Sequence, residues 1–293
     1  MTFSGPQYML ISALGFALMG ALVKVAGAEG IPLMQIILVR AVVSVVLSLH
    51  DIRRAGRHPL GERRGWLLAR GVVGFLSLSC VYYAVLNLPY AQATLLQYLH
   101  PVFTSLLAYL ILREVPGIPT VICVILSLIG LAAMLAPPAF ATIGQPLDWF
   151  AVLAGLGGAF GSGLAYTIVR KLATTEHPSV IVLYFPMVCV PAAGLLGWQD
   201  FVWPTPYLWL VLIGVGVFTQ VGQLGLTKAM QTDAASRAAS LSYVQIIFAG
   251  ALGWLFFGEL PTTATYAGAV FILAGALTNV VLHHRQQRHA EPN

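Results

Sequence analysis

Residues 91–114, AQATLLQYLHPVFTSLLAYLILRE, form an apolar run long enough to cross a bilayer, and nine similar runs fill most of the remaining chain. About 20 predominantly apolar residues suffice for a membrane-crossing helix. In hydrocarbon the backbone must satisfy its own hydrogen bonds, which leaves helices or a closed barrel, and runs of this length fit helices. The spans are 8–26, 33–49, 66–85, 91–111, 119–136, 150–169, 179–197, 207–229, 236–257 and 265–282. Only 9% of the residues are charged and 58% are hydrophobic, against about 25% charged in soluble domains. The chain reads as an all-α polytopic membrane protein with the lipid bilayer as its first partner.

The run at 91–114 occurs twice. Adding 145 to each number gives 236–259, SRAASLSYVQIIFAGALGWLFFGE. In this register Leu96 meets Leu241, Tyr98 meets Tyr243, Phe103 meets Phe248 and Glu114 meets Glu259. Pro116 then falls over Pro261 and Gly130 over Gly275, without a gap. An internal duplication follows, with repeats at 1–137 and 148–284 and a tail at 285–293. Each repeat holds five spans, an odd number, so the second copy must enter the membrane upside down. Inverted repeats recur in secondary transporters, whose substrate site lies near the midplane where the repeats meet.

Orientation follows from the basic residues. The longest polar connection, 50–65, carries Arg53, Arg54, Arg57, Arg63 and Arg64, and short loops rich in Lys and Arg stay in the cytoplasm. With that loop inside, Arg70, Arg113, Arg170, Lys171, Lys228, Arg237, Arg285 and Arg288 fall inside or at the same interface. The opposite loops, such as 136–149 and 197–206, hold no Lys or Arg, while Trp149, Trp198, Trp203 and Trp209 cluster at that border as an aromatic belt. Both termini are then cytoplasmic, and a bacterial inner membrane is expected. The net charge of +5 is an orientation signal and implies no nucleic-acid partner. The first run lacks the basic flank and cleavage site of a signal peptide. Cys80, Cys123 and Cys189 lie in separate runs without metal-ligand spacing.

The segment LPYAQATLLQYLHPVFTSLLAYLILRE, followed by a helix containing Gly130, resembles the EamA domain of the drug/metabolite transporter superfamily, and the second copy resembles it again. The resemblance implies ten helices, with spans one to four and six to nine around a central cavity and spans five and ten outside it. It also implies transport of amino acids, nucleotide-like cofactors, vitamins or other metabolites. The second copy departs from the first in having Ile246 where the first has Pro101, so a kink at Pro101 need not recur in the ninth span.

Polar groups inside the spans are the candidate site. Arg40 lies eight residues beyond Pro32, about 12 Å along its helix, too deep to snorkel easily. It would attract a carboxylate or phosphate, or else bridge carbonyls of neighbouring helices. His100 falls near the midplane opposite Gln245; it could bind substrate or titrate, or be a neutral ring bonded across helices. Pro101 frees the carbonyl of Gln97 and marks a kink or gate. Gln220 and Gln223 share a helix face, suited to lining a cavity or to bonding between helices. Tyr82, Tyr98, Tyr166 and Tyr243 offer flat faces with polar tips, useful for an amphipathic substrate and equally for packing. Lys24 reads as an interface anchor, and glycines 155, 157, 158, 161 and 163 as a close-packing face.

No Asp or Glu lies deep in any span, which argues against a proton-coupled carrier of cations. No nucleotide-binding loop, metal motif or nucleophile elbow is present, so no catalytic residue, cofactor or metal is expected. The function expected is secondary transport of a small organic metabolite, an amino acid or derivative first, by a monomer or weak homodimer. A nucleoside-containing cofactor such as S-adenosylmethionine, or a flavin, is the alternative substrate. An intramembrane enzyme or scaffold subunit is the alternative of another class.

Overall fold

A computed structural model describes residues 4–87, 96–140, 148–258 and 263–290. The helices are α1 (Gly5–Ala28), α2 (Leu33–Arg54), α3 (Arg64–Asn87), α4 (His100–Leu107), α5 (Ile118–Phe140), α6 (Trp149–Ala173), α7 (Pro178–Gly197), α8 (Pro206–Thr232), α9 (Ala235–Leu241), α10 (Val244–Phe257) and α11 (Thr263–Ala290). A π-helical turn, Ala108–Leu112, continues α4. No strand occurs among the described residues. Seven helical stretches are long and apolar enough to cross a membrane, α9 with α10 counting as one, and His100–Leu112, Ile118–Ala133 and Tyr266–Leu282 are shorter apolar helices. Leu195 and Leu210, 79% and 71% exposed, present to lipid a surface that water would not tolerate. This is a multi-pass membrane protein. Residues 91–95 of the repeated stretch, Glu259, Pro261 and the centre of the 136–149 connection lie outside the described residues.

Local chemistry sets the helix starts. Asp148 accepts from the amides of Phe150 and Ala151 to begin α6, and Thr205, with Pro206 behind it, begins α8 through the amide of Leu208. Such caps satisfy amides that have no partner inside the helix.

Small residues set the packing. Helix α1 crosses α8 where the hydroxyl of Ser12 donates to the carbonyl of Gly222 at 2.7 Å, and α3 crosses α6 where Ser77 donates to Gly158 at the same distance. A Cβ on Gly158 would lie 2.7 Å from Val81 Cγ2 and 3.0 Å from the Val81 amide, whereas one on Gly157 would meet nothing. Four of the five glycines noted on α6 therefore serve close approach, since Gly155, Gly161 and Gly163 face Leu96, Ser77 and Phe103 in the same way. Helix α2 packs on α7 and α8, α3 on α6 and α7, α4 on α6 and α9, α1 on α8 and α10, and α5 on α11.

A break at the level of Pro101 recurs in the second copy, where Ile246 stands in place of the proline. Before α4 the chain turns at Tyr98 and Leu99, with the amide of Val102 bonding back to Leu99 O. Between α9 and α10 it turns at Ser242 and Tyr243, with Gln245 bonding to Ser242 O and Ile246 to Tyr243 O. No proline is needed in the second break. The hydroxyl of Ser242 takes Ala239 O at 2.6 Å, and this competition with the backbone is what loosens helices at serine.

At the end carrying the 50–65 connection, acids tie the bundle together. Glu114 accepts from Arg170 Nε at 2.8 Å with one oxygen and from the amide of Ala235, the first residue of α9, with the other. Arg170 also donates to Met230 O. Glu176, 6% exposed, accepts from the amides of Glu62 and Arg63 just ahead of α3, where a carboxylate also suits the helix dipole. At the opposite end Gln35 exchanges two hydrogen bonds with the backbone of Val202.

Candidate functional site

Two arginines converge on one aromatic ring in the middle of the bundle. Arg40 on α2 is 7% exposed and Arg70 on α3 is 4% exposed. Their guanidinium carbons lie 5.8 and 4.8 Å from the centroid of the Phe185 ring on α7, within the range where a ring's negative face attracts a cation. Arg40 Nη1 donates to the sulfur of Met19 at 3.7 Å, and Arg70 Nη2 to Gln223 Oε1 on α8 at 3.0 Å. Arg70 Nε is buried without a partner. Neither guanidinium meets a carboxylate among the described residues, unlike Arg170 and Arg237, which pair with Glu114 and Asp233.

Arg40 borders a cavity of about 10 Å³, lined also by Ser44, Thr219, Gln223, Phe185 and Pro186. That is room for about one water, so this conformation has closed around its polar centre. Pro186 offers no amide to the carbonyl of Val182, one turn earlier and also at the cavity wall, so α7 lacks a helical bond there.

A second group joins the two broken spans. Pro101 deprives Gln97 O of its helical donor, and His100 Nδ1 takes its place at 3.1 Å. A carbonyl can only accept, so Nδ1 carries the proton. His100 Nε2 lies 3.3 Å from Ser242 Oγ, and the ring packs edge-on against Tyr166 with centroids 5.2 Å apart. The amide of Val102 bonds to Leu99 O, and the hydroxyl of Tyr243 donates to the carbonyl of Tyr98 at 2.8 Å. The rings of Tyr98 and Tyr243 stack with centroids 6.1 Å apart. Tyr243 is fully buried, so in this conformation it packs and offers no face to a ligand.

The other candidates divide. Gln223 belongs to the arginine group. Gln220 donates to Ser48 at 2.9 Å, a bond between helices, with Oε1 unpartnered. Tyr82 packs half-buried against the cluster that contains Phe185. The Gln97 side chain is exposed and contributes only its carbonyl, and Gln245 is half-buried beyond the break. Lys24 reaches the Phe257 ring at 4.4 Å.

Arg70 is the correction that matters most. Sequence position put it at the cytoplasmic interface, six residues from Arg64, yet it is buried beside Gln223. Phe185, which both arginines face, went unnoticed; the one signal for it is that it lies 145 positions after Arg40. Among the described residues, no group of three or more His, Cys, Asp or Glu side chains could hold a metal.

The sequence pattern of the EamA-like transporter family matches residues 3–136 and again 149–281. The pseudopaline exporter CntI of Pseudomonas aeruginosa is 33% identical over 94% of this chain and 95% of its own. A riboflavin transporter of Vibrio cholerae is 28% identical, covering 92% of this chain and 90% of that protein. Human solute carrier family 35 member G1 is 27% identical over 92% of this chain and 77% of its own. A solved crystal structure superposes with a TM-score of 0.79 over 94% of this chain and 98% of that one at 18% identity, a likeness of fold.

Proposed function

The chain belongs to the EamA-like transporter family, and we propose that it carries a small organic anion, an amino acid or derivative first, across a bacterial inner membrane by alternating access. The relatives are named as transporters and not as enzymes, which supports transport of a small molecule and a non-catalytic role. The seven long and three shorter apolar helices support ten spans, the two family matches support two repeats, 1–137 and 148–284, and the basic 50–65 connection supports their inversion with both termini cytoplasmic. Equivalent residues in contact, such as Tyr98 with Tyr243 and Arg40 with Phe185, are what such a relationship produces near its axis.

The observation that carries the substrate class is Arg40. Midway along α2 it has a thioether and a ring face as its partners, both poor matches for a charged fork. A buried charge without a counter-charge is expensive, and a substrate carboxylate or phosphate would offset that cost. Arg40→Gln should weaken binding of such a molecule about 10- to 100-fold, the effect of losing a charged hydrogen bond. Arg40→Lys should recover part of it, since an ammonium lacks the planar fork. A monodisperse Gln variant with unchanged affinity would sink the anionic substrate. The Vibrio relative keeps a second substrate open: riboflavin has no charge for Arg40 to pair with, so its transport should survive Arg40→Gln.

A further inference from the structure

We propose that the transported molecule is a dianion, received by Arg40 and Arg70 together; this rests on Arg40 being the anion receptor. Both guanidinium carbons lie over the Phe185 ring, at 5.8 and 4.8 Å from its centroid, so the two positive charges are within about 11 Å of each other. Each guanidinium carries five N–H donors. The hydrogen-bond partners present are the Met19 sulfur for one and Gln223 Oε1 for the other, and Arg70 Nε has none. The arrangement holds two charges in the bundle interior with a surplus of donors and, among the described residues, no carboxylate paired with either.

A monoanion would settle one of these charges and leave the other buried and unpaired. Two carboxylates on one molecule, or a single phosphate monoester, would balance both. Gln223 ties the pair together, since its Oε1 holds Arg70 while the side chain also lines the cavity beside Arg40. That fixes Arg70's fork in advance, the pre-organisation that bidentate recognition uses. The cavity of about 10 Å³ is too small for such a molecule, so binding goes with movement of the Phe185–Pro186 wall. That wall belongs to α7 at the point where Pro186 has removed a helical bond.

The test is stabilisation of the purified full-length protein against heat at constant ionic strength. The probes are butyrate, the dicarboxylates from succinate to pimelate, and glycerol 3-phosphate. Wild type should respond to at least one dianion at a concentration tenfold or more below that needed for butyrate, and Arg70→Gln should abolish this preference. Arg70→Lys keeps the charge and should restore part of it, which separates pairing from damage to the fold. A response confined to dicarboxylates of one length means two separated carboxylates; a response to glycerol 3-phosphate alone means one doubly charged group. Equal response to butyrate and the dianions in wild type overturns the dianion and leaves the anion carrier standing. No response to any of the anions overturns both.

Discussion

The phenol of Tyr243 donates to the main-chain carbonyl of Tyr98 at 2.8 Å, and the two residues are 145 positions apart in the chain. The same interval separates Arg40 from Phe185, which also face each other. The first pair joins the turn ahead of α4 to the turn between α9 and α10, and the second joins α2 to α7 beside Pro186. Contacts between positions 145 apart therefore fall beside a backbone break or a polar centre.

The Tyr243 hydroxyl serves the main-chain carbonyl of Tyr98 across 145 positions of chain. Tyr243→Phe keeps the ring and removes that donor, at a cost of about 1 kcal/mol. The expected result is a lower thermal midpoint with the protein still monodisperse. An unchanged midpoint would mean that the carbonyl finds another donor.

Orientation can be read by labelling. With Cys80, Cys123 and Cys189 replaced, a cysteine at Arg57 should react only with a reagent admitted to the cytoplasm, and one at the highly exposed Trp203 only from the other face. Reaction of both from one side would overturn the proposed inversion of the repeats.

Close packing on α6 makes a paired prediction. Gly158→Ala drives a methyl toward the Val81 backbone, and overpacking of this kind costs about 1–3 kcal/mol. Gly157→Ala enters open space and should be neutral or gain up to about 1 kcal/mol from helix preference. Chemical denaturation of the two variants side by side measures the contrast; equal effects would deny the helix contact.

The sequence made the helices legible because apolar runs of this length have no alternative in lipid. It also located the Pro101 break and the carbonyl that needed a partner, though not that the partner would be the neighbouring histidine. The second break was hidden because no breaker residue marks it: a serine hydroxyl and a tertiary contact from Tyr243 do the work. Arg40 stood out by depth alone. Arg70 did not, because distance from a helix end says how far a side chain could reach toward water, not which way its helix face turns. Gln220 and Gln223 share a face by spacing, yet one bonds Ser48 and the other Arg70, a division set by which neighbours α8 meets. Glu176 looked like an ordinary loop acid, and only the fold brings the amides of Glu62 and Arg63 to it.

Glu114 has the widest mechanical consequence. Its two oxygens hold Arg170 on α6 and the first amide of α9, so one carboxylate fastens α4 to both neighbours at once. A movement that separates α4 from α6 or from α9 must break a charge-assisted hydrogen bond of this one group. Because a different oxygen holds each neighbour, an opening at that end can let go of one helix while the same residue keeps hold of the other.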